Sequence, residues 1–252
     1  GHDLDAVAKD LGHQGRVDGA EADDTDEVLQ SVCDGIHEAL EFDRVVIELA
    51  DEHSRRLDPV ASSGWGADVR SLTDGVSIDL LRPLFTSEFE IAGCYLLPAE
   101  IAQRRLGVDD VSHRSQLDGR GPHAWAQHWL MVPLTEPEGG PFGLIWVDGP
   151  RDRLLPSRAR LQALRLFANH AVAALRSADQ AVRLRHEATH DTLTGLSNRR
   201  AFMARLAREA AEAGNGFALI LCDMDNLKEV NDTLGHEAGD LALRLLGDAL
   251  QT

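Results

Sequence analysis

The chain has 252 residues, 43% of them apolar and 27% charged, and a formal net charge of −17. That length is a prior for two domains with a core in each, while the acidity argues against partners that need clustered positive charge, namely nucleic-acid backbones and anionic lipid. Three cysteines without a C-x-x-C pair exclude a disulfide framework and point to a reducing, cytoplasmic setting; the apolar runs are too short for a bilayer span and the first residues lack signal-peptide order, so no membrane contact is expected.

Residues 1–23 are polar, without a sustained period, and read as a loose or weakly helical arm. Val28, Leu29, Val32, Ile36, Ala39 and Leu40 then recur at helical spacing behind Asp24-Thr25, which supplies a cap signal. Strand-like runs follow at residues 44–50, 57–62, 91–97, 129–134 and 142–147, with turn-rich stretches between them, as in an antiparallel sheet. Residues 112–128 are polar and read as a loop over one face of that sheet. His123, Trp125, His128 and Trp129 lie near it, where surface placement and core packing outweigh a shared pocket.

A long helix begins at Ser157. Its Leu161, Leu164, Ala168, Ala171, Leu175, Ala178 and Val182 alternate by three and four, the a/d spacing of a coiled coil, and predict a parallel dimer seam at least in the second half; a helix packed on its own domain would show similar spacing. A helix at residues 199–213, a strand at 217–222, an acidic loop and a helix with Ala242, Leu245, Leu246 and Ala249 on one face follow.

The acidic loop and the start of its helix read DMDNLKEVNDTLGHEAGD (residues 223–240). Asp223 stands at the carboxyl end of the expected strand, where α/β sheets present ligand-binding groups. With Asp225 two residues on, it suits Mg²⁺, which takes hard oxygen ligands. Asn231 offers a donor and an acceptor and Asp240 an acceptor pair, which together can read the edge of guanine; a capped turn has the same composition. His186-Glu187-x-x-His190 matches a zinc-protease spacing, with Glu209 as the conceivable third ligand, but it sits at the end of a linker helix and zinc chemistry is not the reading adopted. Gly119-x-Gly121-x-x-Ala124 follows no strand and is discarded as a dinucleotide loop.

Two blocks resemble the opening half of a GGDEF domain, the diguanylate cyclase family. They are His190-Asp191-x-Leu193-Thr194-Gly195-Leu196-x-Asn198-Arg199 and Asp223-x-Asp225-x-x-Lys228-x-x-Asn231-Asp232-x-x-Gly235-His236-x-x-Gly239-Asp240. The resemblance implies that Asp223 and the backbone carbonyl of Met224 bind Mg²⁺, and that Asn231 and Asp240 hydrogen-bond the guanine of GTP. Leu227 stands where the family usually has Phe. The family condenses two GTP into cyclic di-GMP across a homodimer. Its Gly-Gly-Asp/Glu-Glu-Phe turn would lie beyond Thr252, so these residues are expected to be inactive by themselves. Residues 24–156, with the following helix to about residue 178, resemble a GAF domain in the order of elements and in Asp43-Arg44-Val45-Val46-Ile47. That resemblance implies an unknown small-molecule ligand and dimerisation through outer helices. Cys94 has no adjacent His and is expected to be a core thiol rather than a chromophore anchor.

The expected fold class is α/β (α+β): a GAF-like antiparallel sheet with flanking helices, a linker helix over residues 157–189, and a truncated palm-like α/β half-domain over 190–252. The expected function is the sensory portion of a diguanylate cyclase. The alternative is a GAF binding and dimerisation module beside a degenerate, GTP-binding GGDEF domain that regulates an attached cyclic di-GMP phosphodiesterase.

Overall fold

The computed structural model describes residues 19–65, 76–107, 115, 117–136, 139–212 and 218–251. It forms two compact units, Gly1–Ala178 and Asp179–Thr252. Among the described residues no helix is long and apolar enough to cross a membrane.

The first unit begins with α1 (Gly19–Ala39), which starts ahead of the Asp24-Thr25 cap signal, so residues 19–23 take the helical alternative for the arm and continue into the helix. Residues 1–18 lie outside the described residues. Strands β1 (Phe42–Ala50), β2 (Leu57–Ser63), β3 (Glu90–Ile91), β4 (Cys94–Pro98), β5 (His128–Thr135) and β6 (Pro141–Pro150) build one sheet in the order β2-β1-β6-β5-β4-β3. Every pairing is antiparallel. The run expected as a single strand at 91–97 is broken, because Ala92 and Gly93 take positive φ values of 56° and 77° and turn the chain back on itself. Two short helices were not legible as elements: a 3-10 helix (Ile78–Leu84), capped by the Ser77 side chain, and α2 (Ala99–Leu106), closed by a left-handed Gly107.

Each face of the sheet carries its own core. On one face Leu29, Val32, Cys33 and Ile36 of α1 meet Leu161, Leu164, Ala168 and Ala171 of α3 (Arg158–Thr189), over Val45, Ile47, Leu130, Val132, Ile145 and Val147. The first half of the expected coiled-coil seam is therefore spent on this unit's own sheet, each large side chain there being worth roughly 1.5–3 kcal/mol. Leu175, Ala178 and Val182 continue the seam half-buried. Gly35 lets the Phe167 ring approach α1 closely, since a Cβ there would stand 2.7 Å from its Cε1. Arg160 fastens the corner: it donates to the carbonyls of Leu40 (2.6 Å) and Glu41 (2.8 Å) and to Asp152 (3.0 Å), with its guanidinium 4.4 Å from the Phe42 ring centroid. Cys94 is buried and donates to the Leu161 carbonyl, and burial pushes its thiol up to about 12, as expected of a core thiol.

The other face packs Leu57, Leu97, Trp129, Met131 and Leu144 against Ile78, Leu81 and Leu84 of the 3-10 helix and Ala102 of α2. This face holds Glu48, 1% exposed in the middle of β1, with Trp146 Nε1 donating to its Oε2 at 3.0 Å. Burial raises its carboxyl to about 7, against the opposing effect of that hydrogen bond. The folded-state value lies above the usual 4.5, so Glu48 leaves stability whole below about pH 4.5 and erodes it as pH rises through about 7. Complete ionisation costs roughly 3 kcal/mol. Urea unfolding of wild type and Glu48→Gln between pH 5 and pH 8 is expected to show a loss of about that size in wild type relative to the variant. Parallel pH profiles for the two proteins would refute a neutral buried Glu48.

Candidate nucleotide site in the C-terminal unit

The second unit opens where α3 ends at Thr189. The block from His190 to Arg199 is a tightly bonded turn, and most of its polar groups are consumed in making it. Asp191 Oδ1 accepts from the backbone N–H groups of Leu193 (3.2 Å) and Thr194 (3.0 Å) and from the Thr194 hydroxyl (2.9 Å). The bonds from Thr194 hold the exposed Asp191 carboxyl below its ordinary value. Gly195 takes φ 67° and donates its N–H to the Asp191 carbonyl. Asn198 then caps α4 (Arg199–Glu212), accepting from Ala201 N at 3.0 Å while its amide donates to the Ala188 carbonyl. His186 and His190 stack with ring centroids 4.1 Å apart. Among the described residues no group of three His, Cys, Asp or Glu is placed to hold a metal, so Glu209 does not complete a zinc set.

Residues 218–222, expected as a strand, form none, and Leu219, Ile220 and Leu221 are 60%, 82% and 95% exposed. A strand exists only by pairing its backbone groups with a neighbour, and no described residue of this unit pairs with them. Residue 217 lies outside the described residues. Asp223 is exposed on this extended segment and Met224 half-buried behind it. Asn226, in a left-handed conformation (φ 59°), turns the chain into α5 (Leu227–Leu234).

Gly235 ends α5 with φ 88° and α6 (His236–Gln251) starts at once, so the two helices meet at a one-residue corner. The Gly235 N–H donates to the Asn231 carbonyl at 3.0 Å, and the side-chain amide of Asn231 lies in the space that a Cβ on Gly239 would occupy. Asn231, half-buried, is thus laid against the first turns of α6, next to exposed Asp240. The two expected guanine-reading residues are brought to one corner, whereas Asp223 shares no hydrogen bond or ion pair with them among the described residues. Asp223, Asp225 and the Met224 carbonyl are hard oxygen donors close together in sequence, and that donor chemistry fits Mg²⁺, which binds few protein ligands and keeps water.

The inward face of α6 differs from the expected one. Gly239 and Gly247 are buried and Ala242, Leu243 and Leu246 half-buried, while Leu245 is 61% exposed and Ala249 is exposed. Gly247 decides this. A Cβ on it would stand 2.7 Å from the Thr194 carbonyl oxygen, so the helix turns its glycine onto the HDTLTG turn. The contacted oxygen is backbone and cannot rotate away. Gly247→Val is therefore expected to destabilise this unit by about 1–3 kcal/mol, the cost of overpacking, with faster amide hydrogen exchange over residues 236–251 and none over β1–β6.

Of the four residues named from sequence near the loop of the first unit, Trp125 and His128 meet, with ring centroids 5.5 Å apart, and the four do not form one pocket. Trp125 is wholly buried on the α1/α3 face and Trp129 on the opposite face, His123 is exposed, and His128 is half-buried with Nδ1 accepting from Ala126 N at 3.0 Å. Burial lowers the His128 imidazole below its ordinary value.

Residues 24–175, well over half of the chain, match the GAF domain family. The chain belongs to that family. Behind the GAF domain, residues 188–252 match "Diguanylate cyclase, GGDEF domain". Among curated proteins the chain is similar to diguanylate cyclase TpbB of Pseudomonas aeruginosa (strain UCBPP-PA14), 46% identical over 68 residues that make up 26% of this chain and 16% of that protein. It is also similar to diguanylate cyclase DgcP of Escherichia coli (strain K12), 33% identical over 136 residues, 49% of this chain and 39% of that protein. Cyclic di-GMP phosphodiesterase NbdA of Pseudomonas aeruginosa (strain PAO1) is 33% identical over 110 residues, 42% of this chain and 13% of that protein. The chain spans only 12–16% of the length of the first curated relatives it matches. Among solved structures, a methyl-accepting chemotaxis protein (residues 122 to 287) superimposes with a TM-score of 0.46 at 21% identity, covering 62% of this chain and 92% of that one.

Proposed function

We propose that this chain is the sensory and nucleotide-recognising portion of a diguanylate cyclase: a GAF domain that receives a small-molecule signal, a helical linker, and the part of the GGDEF domain that grips GTP. The observation that supports it above the others is the α5–Gly235–α6 corner, where Asn231 and Asp240 stand together at the positions of the matched GGDEF sequence. On this reading Asp240 accepts from the guanine ring N–H and amino group, and the Asn231 amide supplies the complementary donor and acceptor. Gly239 keeps that amide seated, because any side chain there would displace it. Asp223 and the Met224 carbonyl hold Mg²⁺, which when bound offsets the negative charge of the phosphates. Each GTP is activated toward the other only when two such domains face one another, so the productive species is a homodimer, formed through the linker and the GAF helices. The linker positions Ala178 and Val182 are the remaining part of its seam, Leu175 being packed against the GAF core.

The 252 residues alone are expected to form no cyclic di-GMP from GTP, since the segment bearing Asp223 is not fixed in a sheet. In the longer parent protein, Asp223→Ala is expected to lower kcat by at least about 100-fold, the scale seen when a group stabilising transition-state charge is removed. Asn231→Ala and Asp240→Ala are expected to raise KM for GTP instead. Unchanged turnover in the Asp223→Ala parent would refute the assignment.

The match to a phosphodiesterase favours a second reading, in which the GGDEF portion binds GTP without converting it and regulates an attached phosphodiesterase domain. GTP that stimulates cyclic di-GMP hydrolysis by the parent, with no cyclic di-GMP formed from GTP, would select that reading.

A further inference from the structure

Among the described residues, two polar atoms buried on the same face of the GAF sheet lack a hydrogen-bond partner: Glu48 Oε1 and Trp129 Nε1. Glu48 and Trp129 are 1% and 5% exposed. Trp146 touches both. Its indole N–H donates to Glu48 Oε2 at 3.0 Å, and its ring packs edge-on against Trp129 with centroids 5.3 Å apart at 81°. The registers put the three on one face. Trp146 lies opposite Val46, two residues before Glu48, and opposite Met131, two residues after Trp129. The half-buried pair Phe85 and Tyr95, 5.0 Å between centroids, packs onto the same cluster.

Buried polar groups are almost always paired, and a carboxylate oxygen without a donor is among the costliest exceptions. The one donor that reaches the Glu48 carboxyl among the described residues is the Trp146 indole, so this buried corner offers a carboxyl oxygen among aromatic rings. An apolar ligand would leave both atoms unsatisfied, and an anion would be repelled. A cation carrying N–H donors answers the carboxylate and also gains from indole faces. We propose that this face holds a small protonated amine that donates to Glu48 Oε1, lies against Trp146, and carries a hydrogen-bond acceptor for Trp129 Nε1. The proposal rests on the reading of the GAF domain as a small-molecule sensor and names the class of ligand it senses.

Ethanolamine, with one ammonium and one hydroxyl, is the probe, and ethylene glycol is its neutral counterpart. Calorimetric titration of the 252-residue chain at pH 8 is expected to show saturable millimolar binding of ethanolamine, the range a ligand of this size reaches. Ethylene glycol is expected to bind at least about tenfold more weakly, as loss of a charge-assisted hydrogen bond requires. Affinity should fall from pH 8 to pH 6 as Glu48 takes up a proton. Glu48→Gln should lose about tenfold in affinity while being more stable than wild type at pH 8, and Trp129→Phe, which removes the indole N–H together with one ring, should lose a few-fold while remaining folded at a lower melting temperature. Absence of saturable ethanolamine binding, equal binding of ethylene glycol, or a Glu48→Gln variant that binds like wild type would overturn the site. Binding that leaves the parent's cyclic di-GMP output unchanged would keep the site and remove the sensor reading.

Discussion

Asp148 is 2% exposed on β6 and accepts from Arg44 on β1, from the Ser115 hydroxyl at 2.6 Å and from Trp125 Nε1 at 3.1 Å. The Arg44 guanidinium also lies over the Trp65 ring, 4.8 Å from its centroid. A buried ion pair of this kind contributes little net stability, yet removing either partner strands the other charge in the interior at several kcal/mol. Its value is in fixing position. Arg44 faces Asp148 in the central β1–β6 ladder, and that register carries Val46 to Trp146 and Glu48 to Leu144. A slip of one residue would move Glu48 to the α1/α3 face and bury Ile47 among the groups of the other core. The bonding of Asp148 therefore determines which residues share the Trp146 face.

The antiparallel sheet was legible because its strands obey local rules. Residues 44–50, 129–134 and 142–147 are rich in β-branched and aromatic side chains and bounded by turn formers, and each appears within a few residues of its expected ends. The 3-10 helix and α2 were missed for want of periodicity, since each buries few side chains: Ile78, Leu81 and Leu84 in one, Ala102 alone in the other. Punctuation was the available signal for α2: Pro98 before it, Glu100 in its first turn, Arg104 and Arg105 in its last, and Gly107 after it. Glu48 was hidden differently. A single acidic residue within Val45-Val46-Ile47-Glu48-Leu49 reads as the solvent side of a half-buried strand, and only the tertiary cover of the second face makes it interior.

In the GGDEF portion the sequence motif and the three-dimensional chemistry separate. The HDTLTGLSNR block is specific as a signature, but Asp191, Thr194 and Asn198 use their polar atoms to build a turn, cap a helix and seat Gly247. The second block is the reverse. Asp223 and Asp240 are exposed and Asn231 is bonded through its backbone, which leaves their side-chain oxygens open to a ligand. The absence of a strand at 218–222 shows the limit of apolar runs as evidence for structure, because a strand's stability resides in its neighbours.

Arg160 occupies the first turn of α3 while gripping the two carbonyls, of Leu40 and Glu41, that join α1 to β1. One side chain thus acts as the bearing of a shaft 32 residues long. Between that bearing and Ala171 the shaft lies on the sheet through Leu161, Leu164, Ala168 and Ala171, so the first half of α3 and the β1 strand are held as one piece. Since guanidinium donors point along fixed directions in one plane, the joint resists rotation about the helix axis more than it resists bending. The near end of α3 is therefore keyed to the sheet in angle as well as in position.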